Sequence, residues 1–436
     1  MEELNREITI PRHESRRSFK LGVFNGALYQ FAEALIDPPL VLTWFVSQLT
    51  ASNLLIGLVA PLGEAGWFLP QIFVSTRVQR MQRKMPSYIL SAAVRIFSWL
   101  LLVLAVWLVD DPRLLLIGFF LLYTLARLLS GLAGLAFFDV VAKTVPARQR
   151  GSFFAWRQLL GGLLALGGGW IVKTVLNHPA LPFPHGHAVL FLLYWVAITP
   201  AMMAFALVHE PLGTAVTEPV TVGEQLRRSE KLLRRNQVYR RYMAVQLVLS
   251  LANIALPFYG IYAKNALGAP DGMVGIYVAT RAGAQLLSNL GWGRLSDGWG
   301  NRLVMQLGSL GSSVTALLAL MLVGLVALVP STSRAPGMDV WLPYLSIPLF
   351  LLDGAMRPAR VLIGSNFLLE LVPEGERSLY LGLSNTLTGV AILASGLGGL
   401  VVDALGFAGL FAVSLGLCLA GYVLASGLPE PREAQR

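Results

Sequence analysis

Apolar residues along this chain come in runs about one membrane crossing long, broken by short polar joints. Twelve such runs can be read, at residues 19–43, 52–76, 86–109, 113–138, 151–176, 188–208, 239–264, 271–293, 303–329, 341–366, 379–402 and 404–428. A helix needs ~20 mostly apolar residues to cross the hydrocarbon core, so the pattern predicts an all-α membrane protein with twelve spans. Joints such as Asp110-Asp111-Pro112 and the stretch from Pro330 to Gly337 separate the runs. The longest polar piece, 209–238, divides them six and six. The predicted organisation is a tail over 1–18, a six-helix half over 19–208, a linker over 209–238, a second six-helix half over 239–428 and a tail over 429–436.

Composition agrees with that pattern. Only 13% of the 436 residues are charged and 55% are hydrophobic, where a soluble domain carries about 25% charged residues. Most side chains are therefore expected to meet lipid or each other rather than water. The single cysteine, Cys418, excludes an intramolecular disulfide and any multi-cysteine metal site. It is expected to be a buried small hydrophobe. The first 20 residues are polar and basic, without the apolar core of a cleavable leader.

The net charge of +10 would suggest nucleic acid in a soluble protein, but its placement says otherwise. Of the 34 Lys and Arg, 24 sit in or at the edge of the tails and even-numbered connections. Four, Arg113, Lys173, Lys264 and Arg334, belong to the odd-numbered ones. Basic residues stay on the cytoplasmic side. Both termini and the linker, with Arg227, Arg228, Lys231, Arg234 and Arg235, are thus expected in the cytoplasm, most simply at a bacterial inner membrane. No basic stripe with interleaved aromatics suggests nucleic-acid binding. The partners expected are the bilayer and a small organic solute, with the chain working as a monomer.

The two halves share local patterns. Val145-Pro-Ala-Arg-Gln-Arg-Gly151 follows the fourth run and Val372-Pro-Glu-Gly-Glu-Arg-Ser378 follows the tenth. Pro146 aligns with Pro373 and Arg150 with Arg377; in the same register Gln158 meets Asn385 and Gly162 meets Gly389. Between the eighth and ninth runs stands Gly291-Trp-Gly-Arg-Leu-Ser-Asp-Gly-Trp-Gly-Asn-Arg302. It opens like a dinucleotide fingerprint, but its third glycine position is Ser296, and it follows a membrane helix instead of a strand. Its glycines suit a tight turn between two helices. A carboxylate there can cap a neighbouring helix N-terminus.

Twelve spans in a six-plus-six layout, a basic central linker and this loop resemble the major facilitator superfamily of secondary transporters. The family's loop motif, G-x-L-A-D-R-x-G-R-R/K, is matched at Gly293, Leu295, Ser296, Asp297, Gly300 and Arg302. Gly298 replaces an arginine and Asn301 a basic residue. The first-half copy, from Arg77 to Lys84, has Gln79 where the aspartate would stand. The resemblance implies two six-helix bundles related by a pseudo-two-fold around a central cavity. It also implies a cytoplasmic gate at Gly293, Asp297, Gly300 and Arg302.

Ionisable groups at bilayer depth are costly and face a cavity or a partner. The first span carries Tyr29, Glu33 and Asp37 at i, i+4 and i+8, before Pro38 and Pro39, which are expected to kink it. Glu64 lies in the second, Arg127 in the fourth, and Arg281, Gln285 and Asn289 in the eighth. Asp353, Arg357 and Arg360 lie in the tenth, where Asp353 and Arg357 are spaced for an intrahelical pair. Arg95 and Arg157, near span ends, are expected to snorkel to the surface. The resemblance places spans one, four, seven and ten at the cavity, with five, eight and eleven contributing. Tyr29, Glu33, Asp37, Arg127, Asn253, Arg281, Gln285, Asp353, Arg357 and Asn385 are the binding and coupling candidates that follow. Glu33 or Asp37 could carry a proton as coupling ion, and an arginine at Arg127 or Arg281 suits a carboxylate or phosphate.

The expected function is alternating-access transport of a small or amphipathic organic solute, by symport or antiport. The chain has no GxxxxGK[ST] phosphate loop for an ATP-driven pump. It has neither HExxH nor GxSxG, so an enzyme is not expected, nor any cofactor or metal. A non-transporting receptor of the same fold and a lipid-handling membrane protein are the alternatives. His178, His185 and His187 are read as parts of an ordinary outer loop.

Overall fold

The computed structural model describes residues 11–70, 81–212, 227, 232–329, 337–372 and 377–430. Outside it lie the tail up to residue 10, the first-half loop copy as far as Arg80, most of the linker, the joint at 330–336, the repeat positions 373–376 and the tail from 431.

Every described element is a helix, and each of the twelve runs lies on one or more of them. The first run becomes α1 (Arg12–Leu35), a π-helical turn at Pro38–Leu42 and α2 (Thr43–Leu49). The break falls at Pro38-Pro39, as expected of residues that lack the N–H a helix needs. Next come α3 (Asn53–Phe68), α4 (Met85–Leu108), α5 (Pro112–Thr144), α6 (Ala147–Leu176) and α7 (His185–Ala206). The second half has α8 (Gln237–Ala252), a 3₁₀ turn at Asn253–Ala255 and α9 (Leu256–Leu267). It continues with α10 (Met273–Trp299), α11 (Asn301–Leu328), the short α12 (Met338–Trp341), α13 (Ile347–Leu371), α14 (Arg377–Ser395) and α15 (Gly398–Ser426). Side-chain caps open several of them: Ser52 accepts from the Leu55 N–H, Asp111 from Arg113 and Leu114, and Asn236 from Tyr239.

Seven of these segments are long and apolar enough to cross a membrane by themselves: α4, α5, α6, α7, α8 with α9, α11 and α15. The other runs hold Glu33, Asp37, Glu64, Arg281, Asp353 and Arg357. Ionisable groups that face a cavity or a partner lower the apolar content of the helices that carry them. The lipid-facing helices show the converse, with Leu108, Leu121 and Trp170 among their exposed side chains.

Each half packs an aromatic cluster. In the first, Trp99 meets Tyr194, Phe191 and Tyr123, and Phe45 meets Phe119 and Phe191. His187 is buried in this cluster against Phe45 and Phe183. In the second half, Tyr239 and Tyr242 pack on Tyr380 and Phe367. Cys418 is buried.

Two seams join the halves. Helix α6 lies along α10, where a Cβ on Gly275 would strike the Lys173 backbone and one on Gly169 would strike Ala279. Helix α3 lies along α14, with Gly389 against Phe68 and Leu69. At the end of the molecule away from the chain termini the seams are reinforced by polar links. Trp44 Nε1 donates to Asp271 at 2.7 Å, Lys264 Nζ to Ser47 Oγ at 2.9 Å and Asn53 Nδ2 to Asp403 at 2.6 Å.

Candidate functional site

A cavity of about 260 Å³ lies between the halves, lined by Tyr29, Gln30, Glu33, Asp37, Ala165, Arg281, Gln285 and Arg357 among others. Helix α1 supplies Tyr29 and Glu33 one turn apart, and Asp37 follows at the start of the π-helical turn. The helix therefore ends before the third member of the predicted stripe, yet all three reach one cavity.

The acids of the cavity are held by arginines. Arg281 Nη1 donates to both oxygens of Asp37, at 2.9 and 2.8 Å, and its Nε donates to Asp353 at 2.7 Å. Arg360 Nη2 meets the other oxygen of Asp353 at 2.6 Å. Asp353 therefore pairs with Arg281 and Arg360 and not with Arg357, the partner its i, i+4 spacing predicted. The i, i+7 residue lies two turns on, along the same stripe, and its longer reach leaves Arg357 turned into the cavity. Among the described residues Arg357 has no hydrogen bond or ion pair within range.

Glu33 is the acid of the first half. Arg127 Nη1 donates to it at 2.9 Å, Arg95 stands 3.8 Å away, and the Tyr194 hydroxyl approaches at 3.5 Å. The Nε and Nη2 of Arg127 are buried with no hydrogen-bond partner among the described residues. Burying charged groups without full pairing is costly, so such a site is unlike ordinary core packing.

Arg95 and Arg157 do not snorkel. Arg95 is buried, donates to Ser130 and lies 5.2 Å from the Tyr29 ring centroid. Arg157 donates to the Gly22 carbonyl and to Asn25 Oδ1, over the ring of Phe137. Both have polar or aromatic partners inside the first half, which the sequence position alone does not reveal. Together they line a second cavity of about 400 Å³, walled by Trp67, Tyr88, Phe137, Phe138 and Phe154 and sharing Tyr29 and Gln30 with the central one. Pairs of arginine with nearby aromatics on neighbouring helices are the sequence signal that could have found it.

Other candidates lie apart. Asn253 stands at the 3₁₀ turn and lines a cavity of only about 30 Å³ inside the second half, with Asp353, Arg360 and Ser414. Asn385 is on α14, one turn before Gly389 and the seam with α3. Gln285 faces the central cavity.

The charged loop between the eighth and ninth spans is mostly helix. Gly291, Gly293, Asp297 and Gly298 all belong to α10, and only Gly300, at φ +88°, makes the turn. The carboxylate at the start of α11 is that of Glu430, which accepts from the Arg302 N–H at 3.1 Å; Arg302 Nη2 donates to the Ser426 carbonyl at 2.7 Å. Asp297 is exposed on α10. The first half has a matching clasp. Glu210 accepts from the backbone of Lys84 and Met85 at 2.7–2.9 Å and from Lys143 Nζ at 2.8 Å, and Asp139 pairs with Lys84 and Lys143. A Glu-Pro dipeptide, Glu210-Pro211 and Glu430-Pro431, follows the last span of each half, a repeat that the comparison of loops did not detect.

Residues 241–436 match the model of the Major Facilitator Superfamily. No curated protein matches the chain. Solved structures match it nearly end to end. A D-xylose-proton symporter aligns with a TM-score of 0.72 at 14% identity, over 95% of this chain and 98% of its own. A bacterial homologue of the iron transporter ferroportin aligns in its inward-facing state at 0.69 and 15% identity, over 94% and 98%. The same kind of protein in its outward-facing state aligns at 0.61 and 17% identity, over 96% and 100%. Identities this low carry the fold.

Proposed function

We propose that the chain is a member of the major facilitator superfamily, whose model it matches over residues 241–436 and whose fold it shares, and that as a secondary transporter of that kind it moves a small or amphipathic organic solute by alternating access with a proton as coupling ion. It is an integral multi-pass membrane protein. The carrying observation is the ion pair between Asp37 of the first half and Arg281 of the second, at the wall of the central cavity. A charge contact across the moving boundary has to form in one state and break in the other, and Arg281 keeps Asp353 when Asp37 leaves.

The state described here is open toward the termini. Support comes from three sides: the polar links and the Gly169 and Gly275 contacts of the α6–α10 seam lie at the opposite end, the fold is nearer to an inward-facing protein than to an outward-facing one, and Leu287 and Leu290 of α10 stand 77% and 69% exposed beyond the α6 seam. The distribution of Lys and Arg supports a cytoplasmic placement of that end, in a bacterial inner membrane. The six-helix halves and linker are assigned to 19–208, 209–238 and 239–428, and the chain is taken as a monomer.

Tyr29, Glu33, Asp37, Arg281, Gln285, Asp353 and Arg357 form the working site, with Arg127 behind Glu33. Asn253 and Asn385 act at its margin. Glu33 is the preferred proton carrier, because it is half-shielded, faces the cavity and has two arginines that can release it in turn. Gly300, Arg302 and the Glu430 clasp, with Gly293 and Asp297 beside them, form the gate at the termini end. The symporter similarity carries no sugar to this chain. Counterflow of labelled solutes into proteoliposomes tests the reading. Exchange of any one of them against an inside load supports it; binding without exchange turns the protein into a receptor.

A further inference from the structure

The interior of the bundle holds more positive side chains than negative ones. Six guanidiniums, of Arg95, Arg127, Arg157, Arg281, Arg357 and Arg360, stand among the spans against four carboxylates, of Glu33, Asp37, Glu64 and Asp353. Glu33 is shared by Arg95 and Arg127, while Asp37 and Asp353 are taken up by Arg281 and Arg360. Glu64 is exposed on α3. Arg157 has only neutral partners, and Arg357 has none within hydrogen-bonding distance among the described residues, although it lines the central cavity. A cation at bilayer depth without a hydrogen-bonded counter-ion is expensive. It is retained where an anion arrives to pair with it. A guanidinium suits that task because its planar fork matches carboxylate and phosphate oxygens two at a time.

The second cavity adds the shape of the remainder. Among the described residues no carboxylate lines it, its walls are the rings of Trp67, Phe137, Phe138 and Phe154, and it shares Tyr29 and Gln30 with the central cavity. At about 400 Å³ the second chamber falls in the size range of small-molecule sites, ~300–1,000 Å³, and the central cavity adds about 260 Å³ beside it. Aromatic walls bury apolar bodies and favour stacked rings.

We infer that the transported solute is an amphipathic organic anion, its carboxylate or phosphate received by Arg357 in the central cavity and its aromatic or apolar body lodged in the chamber of the first half. This inference rests on the transporter reading and narrows its substrate class. Asp37 and Glu33 are hydrogen-bonded to Arg281 and Arg127 and not to Arg357 in this state. They line the same cavity, so the anion also arrives beside acids whose pairing it can exchange.

The test uses the full-length protein in detergent with 2-naphthoate, phenyl phosphate and octanoate as anionic probes. The neutral 2-naphthamide and the cationic 2-naphthylmethylammonium are the matched controls. A ligand that binds only the folded form raises the melting temperature. At least one anion is expected to raise it where both controls do not. Arg357→Gln should weaken that probe at least tenfold and Arg357→Lys should restore part of the loss. Phe137→Ala should weaken 2-naphthoate more than octanoate. Equal stabilisation by the amide or the ammonium overturns the inference, as does failure of all three anions; neither readout depends on a variant folding. Undiminished binding by Arg357→Gln overturns the assignment of the head group. Counterflow separates the two readings. Exchange of neutral or cationic solutes with no anion bound sinks the anion and leaves the transporter, while anion binding without exchange sinks transport and leaves the anion.

Discussion

Arg281 bridges the two halves of the molecule: one nitrogen of its guanidinium holds both oxygens of Asp37 on the first half, and another holds Asp353 on the second. The two acids are not equivalent. Asp353 is buried and keeps Arg360 as well, whereas Asp37 has Arg281 as its arginine. Asp37→Asn should therefore leave the second half intact and loosen the closed end. A hydrogen bond to a charged group contributes ~1.5–3 kcal/mol, so the outward-open population should rise on the order of tenfold or more. The readout is a cysteine at Val278, a cavity-lining position, in a Cys418→Ser background. Its labelling by an impermeant maleimide added to intact cells should speed up. An unchanged rate would mean that the pair does not latch this state.

Asp353→Asn should act on stability instead. It leaves Arg281 and Arg360 facing each other with one acid fewer, and breaking a buried pair by removing one partner costs about 3–5 kcal/mol. Thermal unfolding should show a much larger drop for Asp353→Asn than for Asp37→Asn. Equal drops would place both acids in one static network.

The α6–α10 seam depends on small residues. A methyl group on Gly275 would run into the Lys173 backbone, and neither chain segment there is a flexible tip that can yield. Overpacking of this kind costs ~1–3 kcal/mol, and the closed end bears the cost. Gly275→Ala should thus shift the Val278 cysteine toward external labelling, as Asp37→Asn does, with every charge in place. Gly167, with open space beside it, is the control, and Gly167→Ala should change nothing.

Glu210 and Glu430 hold equivalent places, each closing the start of the third span of its half from beyond the sixth. Glu210→Gln removes charge from a group that serves two backbone N–H donors and Lys143 at once. It should cost ~1–3 kcal/mol, more than Glu430→Gln, whose described backbone bond is a single one at 3.1 Å. Denaturant or thermal unfolding in detergent gives the order. The reverse order would break the proposed equivalence of the two clasps.

The spans were legible because a lipid-facing helix has to be apolar over its whole length, so the signal survives in any register. The break at Pro38-Pro39 was legible for a backbone reason that holds in every context. Pairing was legible only in part. Spacing put Asp353 and Arg357 on one stripe, but Arg360 and Arg281 of the neighbouring helix α10 outcompete Arg357, and nothing in a one-dimensional pattern says which of three arginines arrives first. Arg95 and Arg157 looked like surface snorkelers because they lie near span ends; Ser130, Gly22 and Asn25, on other helices, draw them inward. The loop motif gave the turn at Gly300 and missed Glu430, which comes from 130 positions further along the chain.

Glu33 decides how the solute is driven. In the state described it is bound to Arg127 and neighboured by Arg95, and it lines the central cavity. A carrier releases its proton in such a setting and reloads when the arginines move away. Glu33→Gln, which mimics the loaded form, should abolish accumulation driven by a pH gradient and leave counterflow, because exchange needs no net proton movement. Arg127→Lys should keep the charge but lose the fork, slowing the driven reaction without removing it. Proteoliposomes with an imposed pH gradient measure both reactions on the same preparation. Gradient-driven accumulation by Glu33→Gln at the wild-type level would take the proton away from Glu33 and pass the role to Asp37, for which Asp37→Asn is the same experiment one turn along the chain.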